Sequence, residues 1–338
     1  MKKIILLVVT LVLLLSLVAF AADETYTIKF AYVSPELTHF QNYETNWITT
    51  FRGYVERYSN GQIVVESYPA GQLGGQRETV EGVMMGTIEM TCTADAPLSG
   101  FYKRAMITST PGMFASIEEA NAIFAGPWGQ AWDEELGNAL GIKVLGHFTY
   151  GFRSFSNNVR VLKTPDDIKG LKVRVMESPM YIAMVDSLGA TATPMPANEM
   201  YTAMQHGVVD GQENPISSVI QDKTFEVQKY YTLDQHTCAN QYMLINKDFY
   251  NSLPDDLKKI ILAGANRANQ SSIGFIYVQE EVGLDLLGQH MEIYTPTAEE
   301  AALWREAVAT ETQPWIREQI GDEIVDGLIA AIEEYRKQ

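Results

Sequence analysis

Segments typical of strands and segments typical of helices alternate along this chain, and that alternation restricts its fold most. Residues 26–32 alternate apolar and polar side chains, as a half-buried strand does. The Ser-Pro-Glu sequence at 34–36 predicts a helix start, followed by aromatic residues spaced by three and four: Phe40, Tyr43, Trp47, Phe51 and Tyr54. A turn at 60–61 leads into a strand over 63–68, a second helix ends near Gly86, and 88–93 is the next strand. This order predicts βαβ units and the α/β class.

The second half of the chain continues the alternation. It predicts a strand over 146–158, a short helix from Thr164 to Gly170, and a strand in LKVRV, 171–175. Helices follow over 180–188 and about 199–206, then strands over 208–210 and 241–246. A helical pattern then begins at 252–256 and runs past Glu280, which is longer than a single lobe needs.

The length of 338 residues exceeds what one hydrophobic core usually supports, so we expect two lobes. Several crossings between the lobes, rather than one flexible tether, predict a hinge. We assign 23–150 plus 240–279 to lobe I and 151–239 plus 280–338 to lobe II. The only cysteines, Cys92 and Cys238, are expected as buried free thiols, with a disulfide as the alternative.

The N-terminus predicts export. Lys2 and Lys3 precede an apolar run over 4–20, and Ala19-Phe20-Ala21 has the form of a cleavage site. We predict a signal peptide over 1–22, cleaved near Ala21 or Ala22, and a periplasmic protein; an uncleaved anchor is the alternative. The net charge of -17 argues against nucleic acid or an anionic membrane as a partner.

Within this acidic chain, residues 151–175 form a basic segment with a net charge of +4. Positive charge gathered in one place either balances the protein's own carboxylates or holds an anion. The alternation in LKVRV aims Arg174 away from the apolar face, near the carboxyl end of its strand, where ligands of α/β proteins bind. Its guanidinium is suited to bind a carboxylate through two hydrogen bonds, and the alternative is a structural pairing with Asp or Glu.

A second polar segment is VVDGQENP, residues 208–215. Asn214 precedes a proline, which keeps it out of the α region and lets its amide donate from a strand end; an ordinary turn is the alternative. Motifs of serine hydrolases, zinc proteases, thiol redox proteins and nucleotide-binding loops are absent from the sequence. The five histidines lack metal-ligand spacing, so we expect no metal and no cofactor.

Four segments together resemble one family: AGQLGGQRE at 70–78, GFRSFSNN at 151–158, DDIKGLKVRV at 166–175 and ATPMPANEMYTAMQHGVVDGQENP at 192–215. They are similar to the solute-binding proteins of TRAP transporters, the DctP type, over essentially the whole mature chain. The resemblance implies a two-lobed, periplasmic-binding-protein-like α/β fold, with strands crossing between lobes, a hinge, a long lobe-spanning helix and ligand closure in the cleft.

The resemblance also implies roles for individual residues. Arg174 matches the arginine that binds the ligand carboxylate, and Asn214 matches the asparagine that supports it. Arg153 matches a second cation near the ligand in the sialic-acid branch, where Gln76 and Gln241 also fall on pocket positions. Departures from that branch weaken a sialic-acid assignment: its acidic residue falls on Ala94, with Asp95 one position on, an aromatic is replaced by Ala197, and an asparagine by Glu177.

We therefore expect a monomeric extracytoplasmic protein, not an enzyme, that captures a small organic acid and delivers it to the membrane permease of a TRAP transporter. Glu177, Asp95, Gln76 and Gln241 are expected to select the far end of the ligand. The alternatives are an exported lyase or hydrolase using Asp95, Glu177 or Glu213, and a binding protein that feeds a sensor. A C4-dicarboxylate, a hexuronate and a simple monocarboxylate all remain open as ligands.

Overall fold

The computed structural model describes residues 25–36 and 43–337, so the predicted signal peptide lies outside the described residues. Within those ranges, no helix combines the length and the hydropathy needed to cross a membrane. The described residues form ten strands: β1 Tyr26–Ala31, β2 Ile63–Tyr68, β3 Met90–Ala94, β4 Ile142–Asn157, β5 Lys172–Val175, β6 Thr191–Pro194, β7 Gly211–Asn214, β8 Tyr230–Thr232, β9 Thr237–Asn246 and β10 Glu292–Tyr294.

Twelve α-helices lie in the same part of the chain: α1 Tyr43–Tyr58, α2 Gln76–Met85, α3 Asp95–Leu98, α4 Ile117–Ala125, α5 Pro127–Leu140, α6 Pro179–Ser187, α7 Ala197–Gln205, α8 Ile216–Gln221, α9 Lys247–Ser252, α10 Asp255–Leu287, α11 Ala298–Ile320 and α12 Asp322–Tyr335. Short 3₁₀ turns occupy Lys103–Ser109, Pro165–Ile168 and Thr224–Glu226. Alternation of strands and helices confirms the predicted α/β class.

Two long antiparallel strands, β4 and β9, form the centre of the sheet. The strand order is β2-β1-β3-β9-β4-β7-β5-β6, and β8 pairs with β4 and with β10. On the β9 side of the sheet, β1 is parallel to β2 and β3. On the β4 side, β5 is parallel to β6 and β7. The carboxyl ends of the parallel strands on both sides border the same cleft, the usual place for a ligand in an α/β protein.

The pairing of β4 with β9 is irregular at two glycines. The register shifts between Val144 and Gly146 and again between Thr149 and Gly151. Gly146 and Gly151 have φ angles of 158° and 141°, and a Cβ on Gly151 would lie 2.8 Å from the Pro215 side chain. These bulges bend the two strands at the middle of the sheet.

Two large hydrophobic cores cover the sheet. One lies between the β9 side and helices α1 and α10, around Trp47, Phe51 and Phe148. The other continues from the opposite face of the β9 side to the β4 side, around Tyr181, Tyr242 and Trp304. The 33 residues of α10 give a helix about 50 Å long at 1.5 Å per residue. Its Ile261 joins the first core and its Leu287 packs beside Ile216, so the helix spans both sides, as predicted.

Most predicted elements lie where the sequence placed them, with one strand misplaced. The helix start predicted at 34–36 is wrong, since these residues are not helical, and Phe40 lies outside the described residues. The strand predicted at 208–210 is wrong: these residues form a bend, Val208 is 57% exposed, and β7 begins at Gly211. The apolar pattern does not reveal β7, because its buried side chains are polar. The residues of β7 pair in register with Ser154 to Asn157 of β4. Strand β9 begins at Thr237, four residues before the predicted start.

Both cysteines are free and buried, as expected. Cys92 lies in the core beside α1, and Cys238 lies in the other core. Burial raises the pKa of each thiol, that of Cys238 to about 12, so both stay protonated and unreactive. The residue numbers at which one lobe passes into the other stay a prediction.

Candidate functional site

A cavity of about 70 Å³ opens between the two sides of the sheet. Its wall takes residues from the carboxyl ends of β3, β5 and β7, from the middle of β9, and from the first turn of α1. Among the lining residues are Ser34, Tyr43, Glu44, Gln76, Tyr150, Arg174, Met200, Asn214, Gln221, Asp222 and Gln241. Because contributions come from both sides, a molecule bound here touches both lobes at once.

Arg174 is the cation of this cavity. Its side chain is 2% exposed, and its Nε and Nη2 atoms donate to the Met195 carbonyl at 3.1 and 2.7 Å. Its Nη1 atom lies 3.5 Å from the Met200 sulfur. No ion pair found within residues 25–36 and 43–337 includes Arg174. Burial and the charge of Arg153 lower its pKa to about 10, so it remains charged at neutral pH. An anion is the partner that this guanidinium lacks.

Asn214 lies beside Arg174 at the end of β7. Its amide nitrogen is 3.5 Å from the same Met200 sulfur and donates to Gln212 Oε1 at 2.5 Å. The adjacency follows from the sheet, since Arg174 on β5 pairs in register with Gln212 on β7. The alternation predicted for LKVRV is not an exposed face in the structure, because Val173, Arg174 and Val175 are all buried. Arg174 turns instead into the cavity.

Part of the cavity wall is acidic, formed by Glu44 and Asp222. Glu44, in the first turn of α1, is 1% exposed and accepts hydrogen bonds from Gln241 Nε2 at 3.0 Å and Gln221 Nε2 at 3.2 Å. Ser34 also donates to it. Burial raises the pKa of Glu44 to about 8. Asp222, just after α8, also lines the cavity, and burial raises its pKa to about 6 against the opposing effect of Arg174.

Arg153 lies outside the cavity lining, in a buried network of charges. Its Nη2 atom donates to Glu213 Oε1 at 2.9 Å and to the Glu213 carbonyl at 2.6 Å. His236 continues the network, with Nδ1 at 2.5 Å from Asp234 and Nε2 at 3.4 Å from Glu213. Although burial opposes it, Arg153 lowers the pKa of Glu213 below its usual range. The predicted second cation therefore has a carboxylate partner within the protein.

Asp95 also lies outside the lining, at the start of α3. Its Oδ2 atom accepts from Asn240 at 2.9 Å and Thr108 at 3.2 Å, and from Ser109. Burial raises the pKa of Asp95, and these donors partly offset that rise. Glu177 lines a smaller neighbouring cleft that shares Gln76 and Arg174 with the cavity.

The structure thus brings four of the seven predicted residues to one cavity: Arg174, Asn214, Gln241 and Gln76. Glu177 borders it, while Arg153 and Asp95 lie behind it. Sequence reasoning missed Glu44, Gln221 and Asp222. A signal for Glu44 was present, because it lies three residues before Trp47 and therefore on the apolar stripe of its helix. A carboxylate at such a position is expected to be buried and to bind other polar groups inside the protein.

The buried acids and His236 predict a pH dependence of stability. His236 has its pKa raised to about 9, by Asp234 and Glu213 against the effect of burial, so its contribution is complete below about 6.5 and is lost as the pH rises through 9. Glu44 acts in the same direction, because its folded form keeps a proton that the unfolded chain has released. We expect the melting temperature of the unliganded protein to fall between pH 6.5 and 9.

The loss from His236 alone should be about 3 kcal/mol, and His236→Gln should flatten the pH profile. Differential scanning calorimetry at several pH values measures both profiles. A melting temperature that stays constant or rises over this range would contradict the assignment.

Comparisons with known proteins fit this architecture. The family model of bacterial extracellular solute-binding proteins, family 7 (DctP), matches residues 38–319. A C4-dicarboxylate-binding periplasmic protein DctP of Rhodobacter capsulatus is 31% identical over 93% of each chain. A solute-binding protein of Verminephrobacter eiseniae is 39% identical over 61% of this chain, and that match spans 62% of the relative's length.

Among solved structures, the sugar acid binding protein DctPAm of Advenella mimigardefordensis, in complex with galactonate, superposes with a TM-score of 0.87. It is 28% identical, and the match covers 92% of this chain and 99% of the other. The similarity confirms the two-lobed α/β binding-protein fold, and the family consists of binding proteins rather than enzymes. The chain belongs to the DctP family of bacterial extracellular solute-binding proteins.

Proposed function

We propose that this protein captures a small organic acid in the cavity between its lobes and delivers it to the membrane permease of a TRAP transporter. One observation carries the proposal: Arg174 is buried in the cavity wall, and its described hydrogen bonds go to a carbonyl and a thioether rather than to an acid. A buried cation without an anion is unfavourable, so a carboxylate that enters the cavity gains a strong partner.

Asn214 hydrogen-bonds the same end of the ligand. It and Arg174 share contact with Met200, so a carboxylate seated on one lies within reach of the other. Gln241 and Gln76 contact the remainder of the ligand, and Glu177 borders its entry. Arg153 and Asp95 act from behind the wall, where Arg153 holds β7 through Glu213 and thereby places Asn214 one residue on.

Capture proceeds by closure of the two lobes. The bulges at Gly146 and Gly151 give strands β4 and β9 the bend at which one lobe moves relative to the other. Closure excludes water, which strengthens the contact of a carboxylate with Arg174. We further propose that the chain is a periplasmic monomer, released from a signal peptide near Ala21 or Ala22.

The ligand is a small acid. The cavity, about 70 Å³ in volume, limits the size of the acid that it can hold. One relative is named for C4-dicarboxylates and a structural neighbour holds galactonate, so acids of both chemistries belong in a test.

A thermal-shift screen of the purified protein against organic acids tests the proposal. We expect acids that bind tightly to raise the melting temperature in a concentration-dependent way, by about 2.7 kcal/mol of stabilisation at a hundredfold excess over Kd. Isothermal calorimetry of the best compound should give one site per chain. If neutral sugars or amines raise the melting temperature but no carboxylate does, the proposed function is wrong.

A further inference from the structure

Hydrogen-bond acceptors of the cavity lining gather around Glu44. Glu44 accepts the side-chain amide hydrogens of both Gln221 and Gln241. Gln221 uses both hydrogens of its amide, one on Ser34 and one on Glu44, so its amide oxygen is the polar group left for other partners. Gln241 uses one of its two amide hydrogens on Glu44. Asp222 adds a carboxylate to the cavity lining, near enough to Arg174 for the two charges to act on each other.

The amide oxygen of Gln221 has no hydrogen-bond partner in the part of the chain that the structure describes. Gln221 is 8% exposed and lines the cavity, and its Oε1 atom is buried without a hydrogen bond among residues 25–36 and 43–337. The amide cannot reverse at no cost, because its nitrogen donates to Ser34 at 2.6 Å and to Glu44. Reversal would place oxygen against the Glu44 carboxyl. A buried acceptor left unpaired costs stability, and a donor on a bound ligand would pair it.

The charges around the cavity point the same way. Among the described residues that line it, Arg174 is the one Lys or Arg, whereas Glu44 and Asp222 are two acids. The basic groups behind the wall, Arg153 and His236, have Glu213 and Asp234 as partners. A second carboxylate on the ligand would find no Lys or Arg in the described lining besides Arg174.

We infer that the ligand is a monocarboxylate that carries hydrogen-bond donors on the carbons away from its carboxylate, and that dicarboxylates are disfavoured. This inference rests on the proposed function, since it assumes that Arg174 receives the carboxylate. Gln221, Asp222 and Gln241 accept from those donors, and Glu44 is a positioning residue that fixes both glutamine amides.

Four compounds with four carbons each separate the chemistries: butyrate, succinate, D-erythronate and 4-aminobutyrate. They share one carboxylate and differ in what they present at the other end. By isothermal calorimetry we expect D-erythronate or 4-aminobutyrate to bind at least tenfold more tightly than succinate and butyrate. The better of the two shows whether the donors are hydroxyls or an ammonium group.

The variant Asp222→Asn tests the acidic wall directly, because it replaces an acceptor by a group that also donates. We expect it to weaken the donor-bearing acid and strengthen succinate, so that the ratio of their affinities changes by roughly tenfold or more. Asp285→Asn, an exposed substitution on α10, is the matched control and should leave the ratio unchanged. Thermal melts of each variant verify that it is folded.

Succinate that binds as tightly as D-erythronate and 4-aminobutyrate would overturn the inference and leave capture of an organic acid intact. An unchanged ratio in Asp222→Asn would also overturn it. If none of these acids nor any other carboxylate bound, the proposed function would fail together with the inference.

Discussion

Arg174→Ala should abolish ligand binding while the protein stays folded. Removing one partner of a buried, hydrogen-bonded charge pair typically costs about 2 to 5 kcal/mol, which is roughly 30-fold to several thousand-fold in affinity. The fold itself loses little, because burial of this guanidinium in the unliganded protein is unfavourable, as the lowering of its pKa to about 10 indicates. Isothermal calorimetry with the best acid from the screen measures the loss.

Two further variants sharpen the result. Arg174→Lys should also bind weakly, because an ammonium group cannot present the planar pair of donors that a carboxylate accepts. Arg160→Ala removes an exposed cation of the same basic segment and should leave affinity unchanged. An Arg174→Ala protein that binds within a factor of a few of wild type would show that the carboxylate is anchored elsewhere.

Glu213→Gln should produce the largest loss of stability. Glu213 is fully buried between Arg153 and His236, and its neutral replacement leaves two cationic side chains facing each other without an acid between them. Breaking a buried ion pair from one side costs about 3 to 5 kcal/mol. Urea denaturation followed by fluorescence should therefore show a lower midpoint with an unchanged slope.

The matched control is Asp326→Asn, which removes an acid from the exposed pairs of Arg317. Surface ion pairs are screened by solvent, so the urea midpoint of this variant should equal that of wild type. If Glu213→Gln unfolded at the same urea concentration as this control, the buried network would not stabilise the fold as we describe.

The sequence predicted the elements well where local chemistry determines them. Gly86 ends α2 with a φ of 74°, and the turn at Asn60 and Gly61 leads into β2 at the predicted residue. Arg174 was also accessible, since it lies one residue before the end of β5, a strand that the sequence predicts. Local patterns of this kind need no knowledge of distant residues.

The charge network and the acidic wall could not be predicted in the same way. Arg153 and Glu213 are 60 residues apart and meet only because β4 and β7 pair with Phe155 opposite Glu213. The register that buries Gln212, Glu213 and Asn214 contradicts the rule that strands bury apolar residues, so 211–214 reads as a turn. Glu44 meets Gln221 and Gln241 through three elements that no sequence window contains.

The central position of β4 and β9 has a consequence for how the chain is made. Strand β3 ends at Ala94, yet its neighbour in the sheet, opposite that residue, is Gln241. Helix α1 likewise cannot bury its apolar side until α10 has been synthesised, because Ile261 of α10 packs in the same core as Trp47. Many domains fold from their N-terminus as synthesis proceeds. Here β3 remains an unpaired edge of the sheet until β9 has been synthesised. Pairing of strands that lie this far apart in the sequence is slow. Folding of both lobes is therefore an event that follows synthesis.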